Sequence, residues 1–230
     1  MSDADSIEER MNRHQAEIEA ATGNAPGKHE FAAALREVLD ELASSGAPDD
    51  FLRSEAERVR ELAAELRRHP APPAEGASVL TGMENFHDRS PIVGLANPIA
   101  PPAVLEHFPD EQSVRGTCEF SKAFEGGPGL VHGGFLAALL DEALGVVTVY
   151  SGSAGMTGEY TLRYHAPTRI KVPLRLEARY DSRDGRKLYV SADLWDGETL
   201  TVHATGTFIA VDDAKFEAFA AARSEHVEAS

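Results

Sequence analysis

The apolar positions change period along the chain. Up to about residue 70 they recur at helical spacing: Phe31, Leu35, Val38, Leu39 and Leu42 make one stripe, and Leu52, Val59, Leu62 and Leu66 another. Ala, Glu, Leu and Arg dominate this stretch and β-branched residues are few, which predicts three helices over about 6–21, 30–44 and 49–69. TGNAPGK and SSGAPDD separate them with Gly and Pro punctuation, and Asp49-Asp50 would cap the third. PAPPAEG then predicts a stiff, extended spacer. Asn97-Pro98-Ile99-Ala100-Pro101-Pro102 excludes an ordinary helix or inner strand, because proline donates no backbone hydrogen bond, and is expected to cover an edge or line a pocket mouth.

From residue 113 the period becomes two. Val114, Cys118 and Phe120 alternate with Arg115, Thr117 and Glu119. After a long apolar run over 133–150 come four more alternating stretches. Their apolar sets are Tyr160, Leu162 and Tyr164; Leu174, Leu176, Ala178 and Tyr180; Leu188, Val190, Ala192 and Leu194; and Leu200, Val202, Ala204 and Phe208. In the first of these, Thr157 falls with Glu159, Thr161 and Arg163 on the polar side. Asp184-Gly185 and Asp196-Gly197 are tight-hairpin signals. Strand, long helix, then an antiparallel meander with one apolar face predicts an α+β protein: a sheet wrapped around one central helix. The organisation expected is a helical N-terminal extension (1–75), an irregular lead-in (76–112), the sheet-and-helix domain (113–212), and a C-terminal helix and tail (213–230).

Composition narrows the function classes. A net charge of −16 and a pI near 4.9 argue against a nucleic-acid partner, which needs a basic stripe to neutralise phosphates. Cys118 is the only cysteine, so an intramolecular disulfide, a cysteine zinc cluster and a thiol redox pair are all excluded, as suits a reducing cytoplasm. The scattered histidines show no metal-ligand spacing, and no metal or cofactor is called for. The first twenty residues are acidic and lack the apolar core of a secretory signal. The 133–150 run approaches membrane-spanning length, but two central acids make spanning costly, so no membrane is expected.

Candidate chemistry concentrates in that run, GGPGLVHGGFLAALLDEALGVVTVY. At 100° per residue, Gly134, Ala137, Ala138, Gly145 and Thr148 fall within about 60° of Asp141. Leu136, Leu139, Ala143, Val146 and Val147 fall opposite. One helix face thus carries a lone carboxylate on a floor of small residues that admits close approach, while Glu142 points to the flank near Phe135. His132-Gly133-Gly134 opens the helix, where free N–H groups and the positive end of the helix dipole could hold a developing oxyanion. The residues alone leave two readings open: a catalytic helix, or a plain turn entering a helix with one buried, satisfied acid. His203 alternates onto a polar strand face and reads as structural or solvent-facing. Arg163, Arg169 and Arg175 are candidates for binding an anionic substrate.

EGGPGLVHGGFLAALLDEALG followed by TGEYTLRYHAPT resembles the hotdog-fold acyl-CoA thioesterases of the phenylacetate-degradation type and their mitochondrial relatives in the thioesterase superfamily. The likeness covers about residues 90–210 and leaves the first 80 outside. It implies hydrolysis of an acyl-CoA to free acid and CoA, with Asp141 as general base or nucleophile and Gly133 polarising the carbonyl through its N–H. His132 would hold the turn, and Thr157, contributed by a second subunit, would position the water. Gly134, Ala137 and Ala138 would line the substrate site, and Arg163 and Arg169 would meet the CoA phosphates. A homodimer or homotetramer with its active site between subunits is implied. Some members carry Asn six residues before the histidine; Gly126 stands there in this chain. The alternatives are a non-catalytic acyl-CoA-binding module and, on the same fold, a hydratase or dehydratase, which would need a histidine over the acyl chain.

Overall fold

A computed structural model describes residues 26–70 and 88–211. The expected helices over 6–21 and in the C-terminal segment lie outside these residues, as does the PAPPAEG spacer beyond Pro70. Two helices come first, α1 (Pro26–Ser44) and α2 (Asp49–Leu66). β1 (Val104–Phe108) and β2 (Ser113–Cys118) follow, then the central helix α3 (Gly133–Val147), which tightens into a 3₁₀ turn over Thr148–Ser151. The meander consists of β3 (Gly155–Tyr164), β4 (Leu174–Asp184), β5 (Lys187–Asp196) and β6 (Thr199–Ala210). All six strands form one antiparallel sheet in the order β1-β2-β4-β5-β6-β3.

The sheet wraps α3 because the period-two apolar sets all face it. Leu136, Leu139, Leu140, Ala143, Leu144 and Val147 of α3 are buried against Leu174, Leu176, Leu188, Val190, Leu194, Val202 and Phe208. Each buried leucine contributes about 1.5–3 kcal/mol through apolar area removed from water. The two predicted hairpins are two-residue turns. Gly185 and Gly197 have φ of 57° and 58°, while Arg186 and Glu198, which follow them, keep negative φ, the type II′ pattern that matches strand twist.

The sheet begins before residue 113. Val104–Phe108, inside the stretch read from sequence as irregular lead-in, pairs with β2 from Val104↔Thr117 to Phe108↔Ser113. Its short, mixed sequence, VLEHF, carries no clean alternation, and it forms an edge strand half exposed to solvent. The residues before it also join the core: Ile92, Val93 and Ala103 are buried, and Ser90 Oγ accepts the N–H groups of Ile92 and Val93.

The extension behaves differently. α1 buries only Ala32, and α2 buries none of its residues, so Val38 and Leu42 of α1 and Val59, Leu62 and Leu66 of α2 stand open to solvent. Polar contacts dock α1. His29 Nε2 lies 2.7 Å from Asp88 Oδ1, Arg36 donates to the carbonyl oxygens of Asn97 and Leu95 at 2.9 and 3.3 Å, and Asp40 accepts from Lys122 and Lys171. The proline-rich stretch behaves as expected: Pro98, Pro101 and Pro102, with Arg36, Leu39 and Phe124, line a cavity of about 140 Å³ between α1 and the body.

Candidate active site

α3 starts at a tightly folded turn. Gly126 N–H donates to Leu130 O at 2.9 Å, and His132 N–H donates to Phe124 O at 2.9 Å. A Cβ on Gly126 would lie 2.8 Å from His132 Cα, so the path of this turn leaves no room for the asparagine that some relatives carry there. His132 caps the helix, its Nδ1 accepting the Gly134 N–H at 3.1 Å, which requires that nitrogen to be unprotonated. Phe135 N–H donates to His132 O at 2.9 Å. Of the first three amides of the helix, therefore, only that of Gly133 has no hydrogen-bond partner among the described residues. Gly134, expected from sequence to share in holding an oxyanion, is occupied by its own histidine.

Asp141 lies eight residues further along, and Thr157 Oγ1 donates to its Oδ1 at 3.0 Å. Two expectations about Thr157 are corrected here. It stands on the same chain as Asp141 rather than coming from another subunit. It also leaves the polar side of β3: a bulge between Thr157 and Glu159, with Gly158 as the extra residue, puts Thr157 on the same face as Tyr160 and Tyr164. Strict alternation cannot register an inserted residue. Asp141 Oδ2 has no hydrogen-bond partner among the described residues.

The small-residue face of α3 admits β3 itself. Tyr160 Oη donates to the Ala137 carbonyl at 2.8 Å and Tyr164 Oη to the Gly133 carbonyl at 2.9 Å, so β3 lies along the helix from Asp141 to its start. Burial, then the nearby Asp141 and Tyr164, push the Tyr160 phenol upward, so it stays a donor. Ala138 packs on the core. Of Ala137 and Ala138, expected to line the substrate site, Ala138 is taken up by the chain's own packing and Ala137 is engaged through its carbonyl, and the tyrosines are the residues that sequence reasoning missed. Their place in the apolar set of β3, on the side that turns toward the helix, was the available signal.

Glu142 meets Ser90 rather than Phe135, accepting from its Oγ at 3.3 Å. Burial, only partly offset by that hydrogen bond, raises its pKa. The arginines do not converge on Asp141. Arg169 holds Asp196 with Nε and Nη2 at 2.7 and 2.6 Å, Arg175 lies over the Trp195 ring at 3.9 Å, and Arg163 sits opposite His203 on the sheet face turned away from α3. His203 Nδ1 lies 2.8 Å from Asp193 Oδ1, a structural partner as expected.

A six-stranded antiparallel sheet closed around one long helix, with an amide-bearing HGG start and an acid two turns along, defines a hotdog-fold protein of the thioesterase type. The thioesterase superfamily family model matches residues 128–203, from the glycine turn through most of the meander. A crystal structure of a thioesterase superfamily protein is 36% identical, with a TM-score of 0.71, and the likeness covers 79% of this chain and 90% of that one. The chain belongs to the thioesterase superfamily. Among curated relatives, the acyl-coenzyme A thioesterase THEM4 of Bos taurus is 34% identical over 112 residues, 47% of this chain and 46% of that protein. THEM4 of Xenopus laevis is 29% identical over 106 residues, 44% and 48% of the two chains. The chain spans about half the length of the curated relatives it matches.

Proposed function

We propose that the protein hydrolyses an acyl-CoA thioester to the free acid and CoA, and that each active site is built from two copies of the chain. The Asp141–Thr157 pair carries this reading. Thr157 engages Oδ1 and leaves Oδ2 to take a proton from water. The water oxygen then bonds to the thioester carbonyl carbon, and the resulting oxyanion accepts the Gly133 N–H at the helix start. Collapse breaks the carbon–sulfur bond, and the CoA thiolate takes the proton held by Asp141. The names of the curated relatives, acyl-coenzyme A thioesterases, support the substrate class.

Distance argues for two copies. Eight residues of helix place the backbones of Gly133 and Asp141 about 12 Å apart along the axis, and the Asp141 side chain, leaning toward the helix start, recovers only part of that length. A base-bound water attacking a carbonyl whose oxygen rests on an amide spans roughly 8 Å, from hydrogen-bond lengths and the attack distance. One chain therefore supplies the base half to one site and the amide half to another, a change from the expected split, in which Thr157 was the residue lent by the partner.

The test uses Asp141→Asn and Gly133→Pro, assayed by thiol release from short, aromatic and long acyl-CoAs. Proline at the first helical position removes the donor while keeping a helix-compatible backbone, and His132 with ψ of 129° accommodates a following proline. A Cβ at this position lies 3.3 Å from Tyr164 Oη, a contact that a half-exposed side chain can relax. Each single variant is expected to lose turnover by about 100-fold or more. Co-expression of the two restores activity, because a mixed dimer holds one site with both halves intact. Full turnover by Asp141→Asn would refute the catalytic role, and no restoration on mixing would refute the shared site.

A further inference from the structure

The extension's α1 reaches the turn that carries Gly133, and it does so through one carboxylate. Asp40 Oδ1 accepts the backbone N–H of Lys122 at 2.6 Å, and Oδ2 accepts Lys171 Nζ at 2.8 Å. These two lysines belong to the two chain segments that wall the glycine turn. Lys122 opens the 3₁₀ turn Lys122–Phe124, whose last carbonyl receives the His132 N–H at 2.9 Å. Lys171 ends the segment 168–171, which runs along the other side. There Val131 N–H donates to Thr168 O at 2.9 Å, Ile170 N–H to Gly129 O at 3.1 Å, and Lys171 N–H to Phe120 O at 2.8 Å. Lys171 adopts φ of 56°, a left-handed conformation that a non-glycine residue holds only when its surroundings fix it. Its ammonium bound to Asp40 is one such fixing contact.

We infer that Asp40 is a positioning residue for the His132–Gly133 turn, clamping the two segments that hold it and thereby aiming the Gly133 N–H. The helical extension, on this view, completes the site from outside the hotdog body without touching substrate. The inference rests on the reading of Gly133 as oxyanion donor. Lys171 supports it from the other end: hydrogen bonding to Asp40 raises the lysine's pKa and lowers the carboxylate's, so the pair is charged across the ordinary working range.

Asp40→Ala, Asp40→Asn and Lys171→Met in the full chain test it, with Arg53→Ala on the exposed face of α2 as control. Asp40→Ala is expected to lower kcat about tenfold while KM stays within about twofold, because a misaimed amide weakens the transition state more than the bound substrate. Asp40→Asn keeps an acceptor for the Lys122 N–H and recovers part of the loss. Lys171→Met resembles Asp40→Ala, and Arg53→Ala behaves as the native chain. Independently of activity, the Gly133 amide peak in a ¹H–¹⁵N spectrum shifts in Asp40→Ala, while that of Gly185, in the β4–β5 turn at the opposite end of the sheet, stays in place. An unchanged kcat in a folded Asp40→Ala protein, or an unmoved Gly133 peak, overturns the inference. If the native chain releases thiol from no acyl-CoA, the proposed function fails on its own, and the Gly133 peak still decides whether Asp40 positions the turn.

Discussion

The central helix α3 and the extension helix α1 carry similar apolar spacing, yet they end in opposite surroundings. α3 places Leu139, Leu140, Ala143, Leu144 and Val147 at essentially zero exposure. α1 leaves Val38 and Leu42 each 54% exposed and touches the body through His29, Arg36 and Asp40. Helical spacing says which residues share a face and nothing about what will cover it. Cover comes from the rest of the chain. Five strands with inward period-two sets surround α3, whereas α1 rests on loops that it meets with Ala32 and Leu39 and with the polar side chains of His29, Arg36 and Asp40. The two helices are therefore held by different physics: apolar burial for α3, and chiefly hydrogen bonds with ion pairs for α1.

The largest consequence is for the thermodynamic stability of the body. Leu140→Ala removes a fully buried side chain between α3 and the sheet and is expected to cost about 3 kcal/mol, the transfer term plus a cavity that the strands cannot close. Urea unfolding measures it. A loss under about 1 kcal/mol would mean that the sheet relaxes onto α3 and that the body is less tightly packed than its burial indicates.

A smaller effect separates the two regions by the sign of their pH dependence. Glu142 sits in the body beside Ser90, and burial raises its pKa, so the folded state holds its proton longer than the unfolded chain does. Its contribution to stability is therefore best below the ordinary glutamate value of about 4.3 and is lost as pH rises through the raised one. Asp40, in the dock of α1, has the opposite sign. The Lys171 hydrogen bond lowers its pKa, so its contribution is present above the ordinary aspartate value and lost as pH falls through the depressed one. Glu142→Gln should flatten the decline of the unfolding midpoint between mildly acidic and neutral pH, and Asp40→Asn should leave that decline in place. An equal decline in native and Glu142→Gln proteins would show that the Glu142 carboxylate is hydrated in solution.

Much of this was legible before the coordinates. Period-two runs with Asp-Gly between them located the meander, because side-chain alternation and turn chemistry are both local properties. His132, Gly133 and Asp141 stood out for the same reason: helix projection needs nothing beyond the helix. What sequence reading missed is non-local or irregular. The bulge at Gly158 reversed the face of Thr157, and no periodicity announces an inserted residue. β1 was hidden because VLEHF is short and mixed, and pairing with β2 is what makes it a strand. Arg169 looked available as a phosphate ligand until Asp196, twenty-seven residues away, proved to hold it. The small-residue floor of α3 was read as room for a substrate, whereas Tyr160 and Tyr164 fill part of it; a floor shows that something approaches closely without saying what. The likeness to the solved superfamily structure covers 79% of the chain, more than residues 88–211 could supply, so helical sequence outside the hotdog body is shared with that relative.

The smallest expected effect is the sharpest test of the contrast between the two regions. Leu62 projects from α2 at 41% exposure, and Leu62→Ala removes as many atoms as Leu140→Ala does. With water already on the side chain, the transfer term is small and no cavity forms, so the change should fall within about 0.5 kcal/mol, close to the helix-propensity difference between the two residues. The same urea experiment reads both variants. A cost for Leu62→Ala approaching that of Leu140→Ala would mean that the outward stripe of α2 is covered in solution. If that cost also grew with protein concentration, the cover would come from another copy of the chain, because only association makes stability depend on concentration. If it did not, the cover would come from within the chain, and α2 would belong to the folded body after all.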